Sequence, residues 1–321
     1  MHGKNQMKIR PKTFFVAIIV CLLIALLLWP INIEHTKPKH IKIVTTIFPA
    51  YDFARTISAN TDVSLKLLIK PGVDLHNYEP TPQDIINIKE SDIFIYNGGE
   101  SEKWVEKIIA DINQSTDVIR MMDLVQLKIE SDEHSDEHSD APDYDEHIWT
   151  SPKNVIKISS AIANTIANRT PNNATTVRRN YDRFESSLKK LDTSFQELAA
   201  AKTGTLVVAD RFPFRYFVDD YGFDYIAAFP GCAEQTEASP KTIAELIEKV
   251  NQNPNKIIFK LELSNGKTAQ TIAEATKSKI LVWHSAHNIS QSDFDSGKTY
   301  LDFMKDNLTN LKEALYDYSA S

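Results

Sequence analysis

The chain has 321 residues, a net charge of -7 and a sequence pI of about 5.7. At 42% hydrophobic and 25% charged residues it has the balance of a globular protein of about two domains. The acidic balance argues against a nucleic-acid partner, and two cysteines, Cys21 and Cys232, exclude a disulfide scaffold or a four-cysteine metal centre.

In chain order, Lys4, Lys8, Arg10 and Lys12 precede an uncharged, mostly apolar run over residues 14–33. That run is long enough to cross a bilayer, and its basic flank is the pattern of a signal sequence or signal anchor. Residues 1–35 are therefore expected to be an N-terminal export signal or membrane anchor, which puts the remainder outside the cytoplasm. Cys21 lies inside the run after Val20, and it reads as a passive apolar residue of the span rather than a lipid-bearing one.

A polar linker leads to strands expected at residues 41–48, 63–69, 91–97 and 116–120, with helices at 50–58 and 101–112 between them. Alternating strands and helices predict a parallel α/β lobe over residues 36–171. Residues 131–146, SDEHSDEHSDAPDYDE, break the pattern; low hydrophobicity and one sign of charge predict an acidic loop bearing His134 and His138. A helix follows at 151–167. Residues 172–201 then place Tyr181, Phe184, Leu188, Leu191, Phe195 and Leu198 at spacings of three and four, the stripe of one long helix suited to linking two lobes. A second α/β lobe is expected over 202–321. Its strands fall at 205–209, 223–229, 256–261 and 280–283, and its helices at 212–220, 239–251, 266–276 and 299–316. Neither common glycine-rich phosphate loop is present.

Three histidines fall at strand or loop ends, where open α/β sheets bind their ligands. His76 lies in DLHNYEPTP (residues 74–82), His147 in DEHIWTSP (residues 145–152), and His284 directly after the last strand, with His287 three residues on. Imidazole nitrogen is a common zinc ligand, so an exported chain with these histidines is a candidate metal binder. Their wide spacing matches no local zinc motif, and only the fold can bring them together.

These motifs, with TTIFPAYDF (residues 45–53) and YLDFMKDNL (residues 300–308), occur in an order that resembles the zinc- and manganese-type substrate-binding proteins of ABC importers, also called metal-binding adhesins. The resemblance runs from about residue 41 to 316. It implies two α/β lobes of parallel sheets flanked by helices, joined by one long rigid helix, with the metal in the cleft between the lobes. It also implies His76 and His147 as ligands of the first lobe, and an acidic loop that collects metal as in zinc-specific members. The expected cargo is Zn2+, with Mn2+ second. The expected partner is the ABC transporter permease, and the protein is expected to be a monomer held to the membrane through its N-terminal segment. Catalysis is not expected, because a full set of protein ligands leaves no open position for water.

The second lobe departs from the family. In RFPFRYFVDDYGF (residues 211–223), Arg211 stands where the family usually has His or Glu, and a guanidinium cannot bind a cation. His284 stands where the family usually has Asp and is taken as the ligand there. For the remaining position Cys232 is the first choice, with Glu234, Asp210 and His287 as others. Glu262 is read as a structural partner. Two rival readings remain open: an exported metallohydrolase with Glu79 or Glu262 as base, and a surface adhesin.

Overall fold

A computed structural model describes residues 40–73, 78–129, 144–229, 231 and 238–316. Two four-stranded sheets, all parallel, organise them. In the first lobe the order is β2 (Val63–Leu67), β1 (Ile41–Thr45), β3 (Ile93–Tyr96), β4 (Asp117–Arg120). β3 is buried at all four positions, and β1 at all but Lys42. Helices cover both faces of such strands, so they read as continuous apolar runs. The edge strand β2 alternates instead, with Leu65 beside Ile43.

The first connection is α1 (Phe48–Ile57), followed after β2 by α2 (Pro82–Lys89) and after β3 by α3 (Lys103–Ile109). Phe48 and Pro49 begin α1 rather than closing β1, because proline suits the first helical turn. The helix α2 was not expected from periodicity. Its signal is local: Pro82 stands in the first turn, and Thr81 and Asp84 form a reciprocal capping box.

Two helices leave the first lobe. α4 (Pro152–Arg169) is capped by Ser151, and α5 (Ala174–Ala201) runs 28 residues, about 42 Å at helical rise. Val177, Phe184, Leu188, Leu191, Phe195 and Leu198 form its buried stripe. Phe184 packs on Phe53 of α1 at 5.9 Å between ring centroids. Phe195 packs on Phe217 at 4.8 Å, in the second lobe's α6 (Arg215–Tyr221). One helix therefore carries the core from the first lobe to the second.

The second sheet has the order β6 (Tyr225–Ala227), β5 (Leu206–Val208), β7 (Ile257–Lys260), β8 (Lys279–Val282). This is the same order, second-first-third-fourth, as the first sheet. Its helices are α7 (Pro240–Gln252), α8 (Lys267–Thr276), the short α9 (Gln291–Asp295) and α10 (Tyr300–Leu315). The helix expected from residue 212 starts only at Arg215, since Pro213 disfavours helical geometry at Phe212. Among the described residues no helix is long and apolar enough to cross a membrane.

Candidate metal centre

The carboxyl ends of both sheets supply the loops of interest. In the first lobe, Asp145, Glu146 and His147 are buried in the stretch that precedes a short 3-10 turn at Ile148–Thr150. Asp145 Oδ1 accepts the His147 backbone N–H at 2.7 Å and lies 3.1 Å from Nδ1. A carboxylate there holds the proton on Nδ1, which leaves the lone pair on Nε2 and fixes the ring plane; histidine ligands are prepared for metal in this way. Asp145 is itself held from the second lobe, its carbonyl accepting the Tyr216 hydroxyl at 2.9 Å. Glu146 turns to the other side. Its carboxylate accepts the backbone N–H and the hydroxyl of Ser101 at 2.8 and 2.6 Å, and its carbonyl accepts Asn97 Nδ2 at 2.9 Å.

Gly99, at φ +88, lies so close to this arrangement that an added Cβ would sit 2.6 Å from the Glu146 side chain. Glu102, below the same loop, is fully buried. Its Oε2 accepts the Gly98 N–H at 2.7 Å, while Oε1 and the hydroxyl of nearby Thr46 stay outside hydrogen-bonding geometry. Burial pushes its carboxyl up to about 7, and the neighbouring Glu146 charge adds to the rise.

In the second lobe the chain after β8 runs through Trp283, His284, Ser285, Ala286 and His287. Asn307 of α10 brackets the His284 backbone, accepting its N–H at 2.7 Å and donating to its carbonyl at 2.8 Å. The His284 ring stacks on Phe303 at 3.8 Å. Its Nδ1 accepts the Ala286 N–H at 2.9 Å, and burial lowers its pKa, so it is neutral with its proton on Nε2. Ala286 adopts φ 56, in the left-handed region, and the chain turns there. The turn puts the His287 ring 5.3 Å from the His147 ring, nearly perpendicular to it, and 5.1 Å from Trp149. Glu262, at the end of β7, accepts the Ser285 N–H and hydroxyl at 2.9 and 2.6 Å and so pins the loop that presents His287. Two imidazoles bound to one tetrahedral zinc through nitrogens at ~2.05 Å hold their ring centroids about 5 Å apart, so the His147–His287 spacing fits a shared ion.

His287 and His147 are thus the histidines that the structure brings together, and His284 lies against Phe303 instead. The sequence alone favours His284 over His287 as the ligand of this loop. His76, Cys232 and Glu234, and with them His134 and His138, lie outside the described residues. Asp210 is committed to the β7 loop, accepting the Leu261 N–H at 2.9 Å and the Ser264 hydroxyl at 2.6 Å. Trp149, whose role the motif alone does not reveal, is fully buried beside both histidines, its ring 5.5 Å from His147 and 5.1 Å from His287. Its indole N–H donates to the Ser285 carbonyl at 2.9 Å, across the two lobes.

Two like-ordered α/β lobes on one long helix, each offering a histidine to the other at the carboxyl ends of its strands, define a two-lobe ligand-binding protein. Residues 43–314 match the family described as zinc-uptake complex component A, periplasmic, and the chain belongs to that family. It is 29% identical over 286 residues to the high-affinity zinc uptake system protein ZnuA of Bacillus subtilis (strain 168), covering 87% of this chain and 89% of that protein. It is 27% identical to the zinc-binding lipoprotein AdcA of Streptococcus pneumoniae (strain ATCC BAA-255 / R6), over 93% of this chain but 60% of that longer protein. The fold superposes on the Zn(II)-bound ZnuA-like domain of Streptococcus pneumoniae AdcA with a TM-score of 0.70 at 26% identity, covering 86% of this chain and 99% of that domain.

Proposed function

We propose that this protein captures zinc outside the cytoplasm and delivers it to the permease of an ABC-type importer, as a monomer anchored through its N-terminal segment. The observation that carries the reading is the His147–His287 pair, contributed by opposite lobes at 5.3 Å, in a chain of the zinc-uptake family. We assign the first lobe to residues 36–171, the linking helix to 172–201 and the second lobe to 202–321, with the ion between the lobes.

His147 binds through Nε2, with Asp145 behind it. His287 takes the second-lobe position that sequence alone gave to His284, because neutral His284 already uses Nδ1 as an acceptor and carries its proton on Nε2. His76 supplies the second ligand of the first lobe. Cys232, which falls between β6 and α7 in the sequence, is the proposed fourth. Zinc is the preferred ion over manganese, since imidazole and thiolate are softer donors than manganese favours. The protein is a carrier rather than an enzyme, a reading supported by Glu262, one of the two candidate bases of a hydrolytic mechanism, being spent on holding Ser285.

The test is metal analysis and competitive zinc titration of the purified chain, repeated with cobalt. One ion per chain is expected, with an intense thiolate-to-cobalt charge-transfer band that Cys232→Ser abolishes. His147→Ala should weaken binding by orders of magnitude. Wild-type affinity in that variant would overturn the site, and a cobalt spectrum without the band would remove Cys232 from it.

A further inference from the structure

Asp52 is a fully buried carboxylate on α1. Its Oδ1 accepts Arg55 Nε at 3.0 Å, and its Oδ2 accepts the backbone N–H of Tyr300 at 2.7 Å. Arg55 then reaches past Asp52 to the carbonyls of Lys298 and Gly297, at 3.0 and 3.5 Å. Asp52 and Arg55 belong to the first lobe, and residues 297–300 to the second.

The helix α10 does not need this contact to start. Thr299 and Asp302 already form a complete capping box at its first turn. The Asp52 carboxylate instead takes one of the N–H groups that every helix start leaves over, at the end where the helix dipole favours a negative charge. It is a docking bond between lobes. A buried carboxylate is retained only where its partners are all in place, so either side of this contact is costly to leave alone.

The contact leads directly to both histidine loops. The Tyr300 phenol donates to the Trp149 carbonyl at 2.8 Å, and its ring meets Phe53 of α1 edge-on at 5.2 Å. The Trp149 indole donates to the Ser285 carbonyl. His147 lies two residues before Trp149, and His287 two residues after Ser285. Farther along the same loop, the Gly72 N–H donates to the Ile289 carbonyl at 2.9 Å, and Asn288 donates to the carbonyls of Lys70 and Val73.

We propose that Asp52 and Arg55 are positioning residues for the metal centre: they lock the start of α10 and the preceding loop onto α1, and through Tyr300 and Trp149 they set the separation of His147 and His287 before metal arrives. This rests on the assignment of those histidines as metal ligands. A site built in advance needs little rearrangement to bind, and the loss of such preorganisation appears mainly as faster dissociation.

The experiment measures two things on the full chain for Asp52→Asn, Arg55→Gln and Tyr300→Phe. One is amide hydrogen exchange of residues 284–300 without metal, and the other is the zinc off-rate with excess chelator, well below the melting temperature. Exchange in that segment should accelerate about tenfold or more. The off-rate should rise by about tenfold, with the on-rate changing by no more than about threefold. Leu246→Ala, in the separate apolar cluster of the second lobe, serves as a destabilised control and should leave both unchanged. If Asp52→Asn does not fold, Arg55→Gln and Tyr300→Phe decide. Wild-type exchange in the folded variants would overturn the lock, and accelerated exchange with a wild-type off-rate would overturn its role at the metal centre. If His147→Ala and His287→Ala both bind zinc as wild type does, the functional reading fails, and the exchange data still decide whether the lock exists.

Discussion

The two lobes share a strand order but finish their carboxyl ends with different materials. The first lobe ends in buried polar groups: Asn97, Glu102, Asp145 and Glu146 lie around the segment that carries His147. The second ends in an aromatic pile, where Trp283 stacks on Phe214 at 3.8 Å and meets Phe217 and Phe259 at 5.6 and 5.7 Å. His147 is aimed by a carboxylate. His287 follows a strand end wedged into that pile, and its N–H donates to the Ser285 hydroxyl that Glu262 holds. In the proposed site the first-lobe side rests mainly on buried polar groups and the second mainly on packing, so the two should respond differently to pH and to loss of volume.

The largest effect should come from the histidines themselves. His287→Ala removes a direct metal bond in the proposed site, and zinc affinity should fall by about a thousandfold or more, comparable to His147→Ala. His284→Ala removes a ring stacked on Phe303 and should cost stability with less than about a tenfold change in affinity. Competitive titration of the two variants side by side distinguishes them. A larger affinity loss for His284→Ala would restore the order read from sequence.

Next in size is the packing side. Trp283→Ala empties a fully buried ring site in the aromatic pile, and such truncations cost about 3–5 kcal/mol. Denaturant unfolding should show that loss with little dependence on pH. A cost below about 1 kcal/mol would mean that the second lobe does not rest on this pile.

The charge side should show its signature in Glu102. Its folded pKa is raised from the ordinary 4.5 to about 7, and that displacement is worth about 3 kcal/mol. A carboxyl raised on folding binds its proton more tightly in the folded state. Its contribution is complete below about pH 4.5 and is lost as pH rises through 7. Glu102→Gln is neutral at every pH and can still accept the Gly98 N–H. Its stability relative to wild type should therefore climb between pH 4.5 and 7 and level off near pH 8. Urea titrations of both proteins across that range check it. A difference that does not vary with pH would show that Glu102 ionises normally in the folded protein.

Much of this architecture was legible because it is written locally. β-branched runs gave the strands, the three-and-four spacing of Phe184 to Leu198 gave the linking helix, and DEHIWTSP holds His147 and its Asp145 partner within three residues. What stayed hidden depends on contacts between distant segments. Glu102 is an ordinary acidic residue until the fold seals it under Gly98. Asp52 acquires meaning only when Tyr300 arrives from the other lobe. The left-handed turn at Ala286, between a His284 ring stacked on Phe303 and a His287 ring beside His147, is not advertised by alanine in sequence. Glu262 reads as a structural residue in the sequence, but its partner Ser285 does not show there, since the two are brought together by adjacent strands β7 and β8.

The smallest expected effect concerns the acidic stretch over 131–146. Its ends are tied together independently of what lies between them. Ile129 and Tyr144 form an antiparallel bridge, and the Asp145 N–H donates to the Lys128 carbonyl at 2.9 Å. Tyr216 clasps both sides, accepting the Lys128 N–H at 3.1 Å and donating to the Asp145 carbonyl, while Lys128 Nζ pairs with Asp219 at 2.8 Å. Deleting residues 131–142 leaves Glu130 and Asp143 as a two-residue turn between Ile129 and Tyr144, a length that antiparallel strands accept. The clasp keeps Asp145 in place behind His147, so the tight site should retain its affinity within about threefold. His134 and His138 go with the deletion, and any weak additional zinc binding should go with them. Titration beyond one equivalent of zinc reads both quantities at once. Loss of the tight site would show that a primary ligand comes from residues 131–142 and that the clasp alone does not set His147.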